Sequence, residues 1–136
     1  MRLSALVGLL SAAAILWSAG SPAAEEGLTK RDARGPVTVI VTLTAPPEVG
    51  TPVKAKVVLD THSVPLDSIK LEEAVVLRAD GADLAPTAVE EAAGGGHHRS
   101  AVLIFPPPAR AGEVRIVVKD VGGVAERSFA WVLPAR

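Results

Sequence analysis

The sequence predicts an all-β protein, an antiparallel immunoglobulin-like β-sandwich of about seven short strands. Apolar and polar residues alternate along several segments, as they do in strands that bury one face. These segments are separated by turn residues, and the chain contains 12 glycines and 11 prolines to form those turns. A small closed β-barrel is the alternative architecture.

Seven segments are predicted to be strands: Val37–Leu43, Val53–Leu59, Ala74–Ala79, Leu84–Glu91, Ser100–Phe105, Val114–Lys119 and Ala125–Val132. The first is the clearest, because it alternates strictly and is rich in β-branched residues. The second directs Lys54 and Lys56 towards solvent. Continuing the same alternation places Asp60 and His62 together on the solvent side.

The later strands are bounded by turn residues. Ala74–Ala79 is closed by a turn at Asp80–Asp83, and Leu84–Glu91 is interrupted by Pro86, which favours an edge position. Ala92–Gly96 is predicted to be a flexible turn. The last two strands flank Gly122-Gly123, where left-handed backbone conformations are expected. In the final strand, Trp131 is expected to anchor the core.

The N-terminus has the three regions of a secretory signal peptide. A positive charge precedes the uncharged run Leu3–Trp17, and small residues follow it. Cleavage is expected after Ala23, with Gly20 as the second candidate, and an uncleaved N-terminal anchor is the alternative. The mature protein is therefore expected to be exported, periplasmic or extracellular, with no stable membrane insertion.

The predicted domain organisation follows from this cleavage site. Residues 1–23 form the signal peptide, residues 24–35 form a flexible leader that is polar and unpatterned, and residues 36–136 form the β-sandwich domain. A chain of 136 residues is long enough for one such domain with one core.

Composition excludes several classes of function. The 14 Lys and Arg against 15 Asp and Glu argue against a nucleic-acid-binding protein and a polybasic membrane-surface protein. Because the chain has no cysteine, thiolate metal sites, iron–sulfur clusters, cysteine nucleophiles and disulfides are excluded. With no Tyr, two Phe and two Trp, an aromatic platform for sugars or bases is not expected.

The candidate site consists of Asp60, His62, His97 and His98, with Asp67 nearby. Without cysteine, the ligands left to the protein are imidazole and carboxylate, which suit Cu(II), Zn(II) or Ni(II). His97 and His98 point to opposite faces of a strand, so we expect at most one of them in a compact site unless the glycine turn bends there.

A structural role for the same residues remains open. Histidines in loops are usually solvated or hydrogen-bonded to the backbone. Asp67 or Ser68 could cap a helical turn within Leu66–Glu73. Arg99 could pair with Asp60 or Asp67 as a surface ion pair that contributes little stability.

No arrangement of residues typical of an enzyme is found. Ser63 and Ser100 lack the sequence of a nucleophile elbow, and neighbouring glutamates diverge rather than flank a bond. Gly94–Gly96 lacks the Lys-Ser/Thr of a phosphate loop and precedes a strand. We therefore expect a protein without catalytic residues.

Several segments resemble a family of small exported bacterial domains of unknown function, and the resemblance covers most of the chain from Val37 onward. These segments are Leu59–Asp67, Gly95–Ser100, Phe105-Pro106 and Asp120–Trp131. Pro65 and Ala125 depart from the pattern, which has acidic and proline residues there. The resemblance implies no established activity.

A weaker resemblance links Gly95-Gly96-His97 to the periplasmic copper-resistance protein C family. Those small sandwiches bind Cu(II) and carry an Asp-Gly-His step at the entry to a late strand. In this chain, Gly95 stands where that step has its aspartate. The resemblance implies copper as the metal but does not identify its ligands.

Together these observations predict an exported, non-enzymatic β-sandwich that binds copper or zinc through His62, His97 or His98, and Asp60. Asp60 would act either as a ligand or as a partner that orients an imidazole. The alternative is a structural or protein-interaction module of the cell envelope that binds no metal.

Overall fold

The structure is a computed structural model that describes residues 27–135. The predicted signal peptide, its cleavage sites and the start of the predicted leader lie outside this range. The described residues form nine strands and one short helix: β1 (Thr29–Asp32), β2 (Val37–Leu43), β3 (Val53–Thr61), α1 (Leu71–Ala74), β4 (Val75–Ala79), β5 (Ala82–Leu84), β6 (Ala88–Gly95), β7 (His98–Phe105), β8 (Gly112–Val121) and β9 (Val124–Leu133).

The strands form two antiparallel sheets. One has five strands in the order β1-β2-β3-β7-β6, and the other has four in the order β5-β4-β8-β9. The predicted antiparallel β-sandwich is confirmed. Because the two sheets are separate, the alternative of a closed barrel is excluded for the described residues.

The core lies between the inner faces of the two sheets. Along β2 and β3, every second residue from Val37 to Thr61 is buried, as the alternation predicts. The opposite sheet contributes Leu77, Ile116, Phe129 and Trp131, and all four are buried, so Trp131 is a core residue as predicted. Burial of each Val or Leu side chain stabilises the fold by about 1.5–3 kcal/mol.

The edge strand β1 lies within the segment that the sequence predicts to be a flexible leader. Thr29–Asp32 pairs with β2, from Thr29 opposite Thr42 to Asp32 opposite Val39. Backbone and side-chain donors extend this attachment towards the N-terminus. Leu43 N–H donates to the Leu28 carbonyl at 2.9 Å, and Trp131 Nε1 donates to the Gly27 carbonyl at 2.9 Å.

At the other edge, β6 is longer than predicted and is interrupted by a bulge. The predicted strand Leu84–Glu91 divides into β5 and β6, and β6 occupies an edge as expected. The segment Ala92–Gly96, predicted to be a flexible turn, continues β6 as far as Gly95. The pairing with β7 shifts register between Glu90 and Ala93, and Glu91 adopts φ 50°.

One charged side chain, Arg127 of β9, lies inside the sandwich and is 0% exposed. Its Nη1 donates to the carbonyl and to Oδ1 of Asp32, both at 3.3 Å, and its Nη2 donates to the Val121 carbonyl at 3.1 Å. Burial lowers the pKa of the guanidinium, and the Asp32 carboxylate opposes that effect. Arg127 thereby connects the edge of one sheet to a hairpin of the other.

The same Asp32 carboxylate also binds Arg34. Arg34 Nη2 donates to Asp32 Oδ2 at 2.6 Å, and the Arg34 backbone N–H donates to Oδ1 at 2.9 Å. These hydrogen bonds lower the pKa of Asp32 to about 2. One carboxylate therefore accepts hydrogen bonds from two arginines.

The β8–β9 hairpin closes over this group through a turn that requires glycine. Gly122 and Gly123 have φ 61° and 74°, so both central residues are left-handed, as the sequence predicts. A Cβ atom added at Gly122 would lie 2.8 Å from Val37 Cγ2. The turn thus combines a left-handed backbone with close packing against β2.

Replacing Asp32 with Asn should lower the free energy of unfolding by about 3 kcal/mol, because the buried Arg127 loses its counter-charge. Chemical denaturation checks this value. Asp120→Asn is the matched control, since Asp120 is exposed and has no side-chain hydrogen bond or ion pair among the described residues. Equal stability of the two variants would show that the Asp32–Arg127 pair does not hold β1.

Acid should remove the contribution of Asp32 to stability. The folded-state pKa is about 2 and lies below the ordinary value of 3.8, so the unfolded chain takes up this proton first as pH falls. The contribution is complete above about pH 4 and disappears as the pH falls towards 2. Denaturation curves across this range should show a steeper loss of stability in the wild type than in Asp32→Asn. Parallel curves would contradict the assignment.

Candidate functional site

Neighbouring strands bring the two histidine-bearing segments together. β3 and β7 are adjacent in the five-stranded sheet, and their register places Asp60 directly opposite His98. His98 Nδ1 lies 3.6 Å from Asp60 Oδ1. The side chains are 60% and 57% exposed, respectively, on the outer face of the sheet. Two residues that are far apart in sequence therefore form an exposed cross-strand pair.

The pair is not locked by a hydrogen bond. A separation of 3.6 Å is longer than the range of N–H···O hydrogen bonds, so the imidazole and the carboxylate are only loosely associated. Neither side chain donates or accepts another side-chain hydrogen bond among residues 27–135. Their polar atoms are therefore available to a ligand from solvent.

His62 follows β3 and lies near Asp60 on the side away from His98. Both side chains line a shallow depression of about 200 Å³ on the outer face, together with Arg31, Pro36, Thr38, Ile40 and Thr61. His62 is exposed. The predicted proximity of Asp60 and His62 is thus found at the rim of one depression, while His98 adjoins Asp60 from the β7 side.

His97 belongs to the turn between β6 and β7 rather than to the strand. Gly96 has φ 62°, and the Gly96–His97 pair connects Gly95 to His98. The His97 carbonyl accepts a hydrogen bond from Thr61 N–H at 3.0 Å, and its side chain is exposed. The backbone of His97 therefore has a structural role. Of the two adjacent histidines, His98 is the one that lies opposite Asp60.

Thr61 determines the course of the chain between Asp60 and His62. It is buried, and its Oγ1 donates to the Pro36 carbonyl at 2.8 Å. The same oxygen accepts from Ser63 N–H at 3.3 Å and Val64 N–H at 3.4 Å. Thr61 is not among the residues predicted from the sequence. A hydroxyl residue two positions before Ser63 is the available signal, because threonine hydroxyls commonly accept from the backbone at that spacing.

Asp67 has a structural role that differs from the predicted one. Helix α1 begins after Lys70 and has no side-chain cap, so neither Asp67 nor Ser68 caps it. Asp67 Oδ1 instead accepts from Gly96 N–H at 2.9 Å, and Leu66 N–H donates to the Gly96 carbonyl at 2.8 Å. The loop after β3 is thereby attached to the turn that carries His97.

Arg99 secures the same loop from the inner side of β7. Its Nη1 donates to the carbonyls of Leu66 at 3.1 Å, Asp67 at 3.4 Å and Ile69. The expected surface ion pair with a carboxylate of Asp60 or Asp67 is not formed. Three backbone carbonyls of one irregular loop replace it, and they share the two N–H groups of Nη1.

The described residues contain no preformed set of three metal ligands. Within residues 27–135, no group of three or more histidine, aspartate or glutamate side chains could hold a metal ion as placed. The sheet provides one imidazole and one carboxylate on adjacent strands, and a second imidazole, that of His62, follows the end of β3 two residues after the carboxylate. Such a pair can bind a ligand loosely or start a metal site that another side chain completes.

Neither the known protein families, nor the characterised proteins, nor the solved structures compared with this chain show a match. Within the described part of the chain, no helix has the length and apolar character that crossing a membrane requires.

Replacing Arg99 with Met should lower the free energy of unfolding by about 2 kcal/mol, because three carbonyls lose a charged donor. Hydrogen exchange should also accelerate at the amides of Leu66 and Gly96. Arg110→Met is the control, since Arg110 is exposed and has no side-chain hydrogen bond among the described residues. If both variants exchange like the wild type, Arg99 does not hold the loop.

Proposed function

We propose that this protein is an exported, non-enzymatic β-sandwich that binds one divalent transition-metal ion, Cu(II) or Zn(II). The first ligands are His98 and Asp60, and His62 joins them when the ion binds. His97 stays in the hairpin turn and is not a ligand. The observation that carries the proposal is the exposed Asp60–His98 pair, whose nitrogen and oxygen lie 3.6 Å apart.

The separation of these atoms is close to what a shared metal requires. Zinc binds imidazole nitrogen and carboxylate oxygen at about 2.0–2.2 Å, so two such ligands lie about 3.4 Å apart in a tetrahedral arrangement and about 3.0 Å apart in a square one. The observed 3.6 Å therefore needs a movement of a few tenths of an ångström. Exposed side chains on adjacent strands can make that movement without a change in the sheet.

The roles of the neighbouring charged residues also support a binding function. Asp67 and Arg99 hold the loop after β3 through hydrogen bonds to backbone groups. Asp60 and His98 make no comparable contact within residues 27–135. Their side chains are exposed, so both are free to bind a ligand.

His62 is the nearest candidate for a third ligand. It is exposed at the rim of the depression that Asp60 also lines, so it can turn towards an ion held by Asp60. The hydrogen bonds of Thr61 keep the following backbone in place during that rotation. Water would complete the coordination, as it does in open metal sites.

The competing function is a structural or protein-interaction module of the cell envelope that binds no metal. The lack of a preformed third ligand in the described chain favours it. Under this alternative, the Asp60–His98 pair is an ordinary surface contact with little effect on stability.

Metal titration of the purified protein tests the proposal. Cu(II) or Zn(II) at 100 times the Kd should stabilise the wild type by about 2.7 kcal/mol by mass action. Asp60→Asn and His98→Ala should bind the metal about tenfold more weakly or worse, and His62→Ala should bind it several-fold more weakly. His97→Ala is the matched control and should bind like the wild type.

Acidification gives a second readout in the same titration. Binding should weaken steeply between about pH 7 and pH 5, because a protonated imidazole cannot act as a ligand. A melting temperature that neither metal raises at pH 7 would reject the metal site and favour the interaction module. Equal binding by His97→Ala and His98→Ala would reject the proposed choice of ligands.

A further inference from the structure

The depression beside Asp60 has walls of opposite character. Asp60 lies near the end of β3 and His62 directly follows that strand, while Arg31 lies on β1, so strand β2 separates the two groups. Adjacent strands are about 4.8 Å apart, which puts the backbones of β1 and β3 nearly 10 Å from each other. The side chains of β2 between them, Thr38 and Ile40, therefore form the floor of the depression.

Arg31 is a guanidinium without a carboxylate partner among residues 27–135. Most of the other arginines there are occupied: Arg34 and Arg127 bind Asp32, Arg78 binds Asp83, and Arg115 binds Glu113. The carboxylate next to Arg31 in sequence, Asp32, is taken by the other two arginines. An exposed, unpaired guanidinium at the rim of a depression is suited to bind an anion from solvent.

The remaining lining residues suit a small molecule whose polar ends are joined by a short hydrocarbon chain. Thr38 presents a hydroxyl that donates or accepts a hydrogen bond, and Pro36 and Ile40 present apolar surface. A volume of about 200 Å³ holds roughly seven waters at ~30 Å³ each. That space is sufficient for a dicarboxylate of about four carbons.

We infer that this depression is a subsite for a small dicarboxylate, which binds Arg31 with one carboxylate and the metal ion with the other. The inference rests on the metal site proposed above. An open metal position next to Asp60 would accept the nearer carboxylate, and the guanidinium of Arg31 would hold the farther one in a two-point contact. The hydrocarbon carbons would lie over Ile40.

The metal and the dicarboxylate should bind with positive coupling. In the metal-free protein, Asp60 lines the depression, and its negative charge repels a second anion. A divalent cation at Asp60 reverses the local charge and adds a coordination site. By linkage, the dicarboxylate must then strengthen metal binding by the same factor.

Titration of succinate into the protein tests the subsite. With Zn(II)-loaded wild type, NMR should show saturable shifts at the Arg31 side-chain N–H and at the amides of Thr38 and Ile40. The metal-free protein should bind succinate at least tenfold more weakly. Arg31→Gln should weaken succinate binding to the loaded protein about tenfold while its Zn(II) affinity in the absence of succinate stays unchanged.

Two controls separate the subsite from simpler effects. Arg110→Gln removes another exposed arginine and should bind succinate like the wild type. Acetate, which has one carboxylate, should bind the loaded wild type and Arg31→Gln equally, because it reaches the metal alone. The melting temperatures of both variants establish that they are folded.

The outcomes distinguish the two proposals. If Zn(II) binds normally but succinate binds wild type and Arg31→Gln equally or not at all, the subsite is wrong and the metal site stands. If neither Zn(II) nor Cu(II) binds the wild type, the proposed metal site is rejected, and the proposed subsite is rejected with it. If succinate binds the metal-free protein as tightly as the loaded protein, the predicted coupling is wrong.

Discussion

The antiparallel pairing of β3 with β7 is the constraint on which the site depends. Each strand directs alternate residues towards the core, so a slip of one position would turn every inward Val and Leu outward and would separate Asp60 from His98. The core thus prevents any such slip. An exposed pair of polar residues on one face is positioned by the apolar residues on the other, which explains how the pair can be defined without hydrogen bonds of its own.

The loops at this end of the sandwich are held by two arginines that point inward. Arg99 gathers the carbonyls of the loop after β3, and Arg127 connects β1 to the β8–β9 hairpin. Both act on backbone carbonyls, which irregular loops leave without partners. Hydrogen bonds within the protein therefore hold the backbone around Asp60 and His62, so a metal ion would have to order only side chains.

The sequence was informative where the local pattern and the tertiary environment agree. Strand Val37–Leu43 has the predicted bounds because one face is fully buried and its alternation is uninterrupted. Strand β1 was not predicted, and β6 was predicted only as far as Glu91, since both lie at sheet edges and their residues are mostly exposed. These strands are held by backbone pairing with a neighbouring strand, and such pairing leaves no alternation of apolar and polar residues in the sequence.

The sequence indicated the candidate ligands, but the nonlocal β3–β7 pairing decided which of two adjacent histidines lies opposite Asp60. Asp67 looked like a helix cap because such caps are local, whereas its actual partner, Gly96, is 29 residues away.

The bulge in β6 has a consequence for the protein in a crowded compartment. A regular edge strand offers an unbroken row of backbone donors and acceptors to any extended chain that passes. In β6 the row is broken at Glu91, which has a left-handed backbone and follows a second glutamate, Glu90. The free side of the five-stranded sheet is therefore a poor template for further strands. This edge is therefore protected from pairing with the sheet of a second molecule.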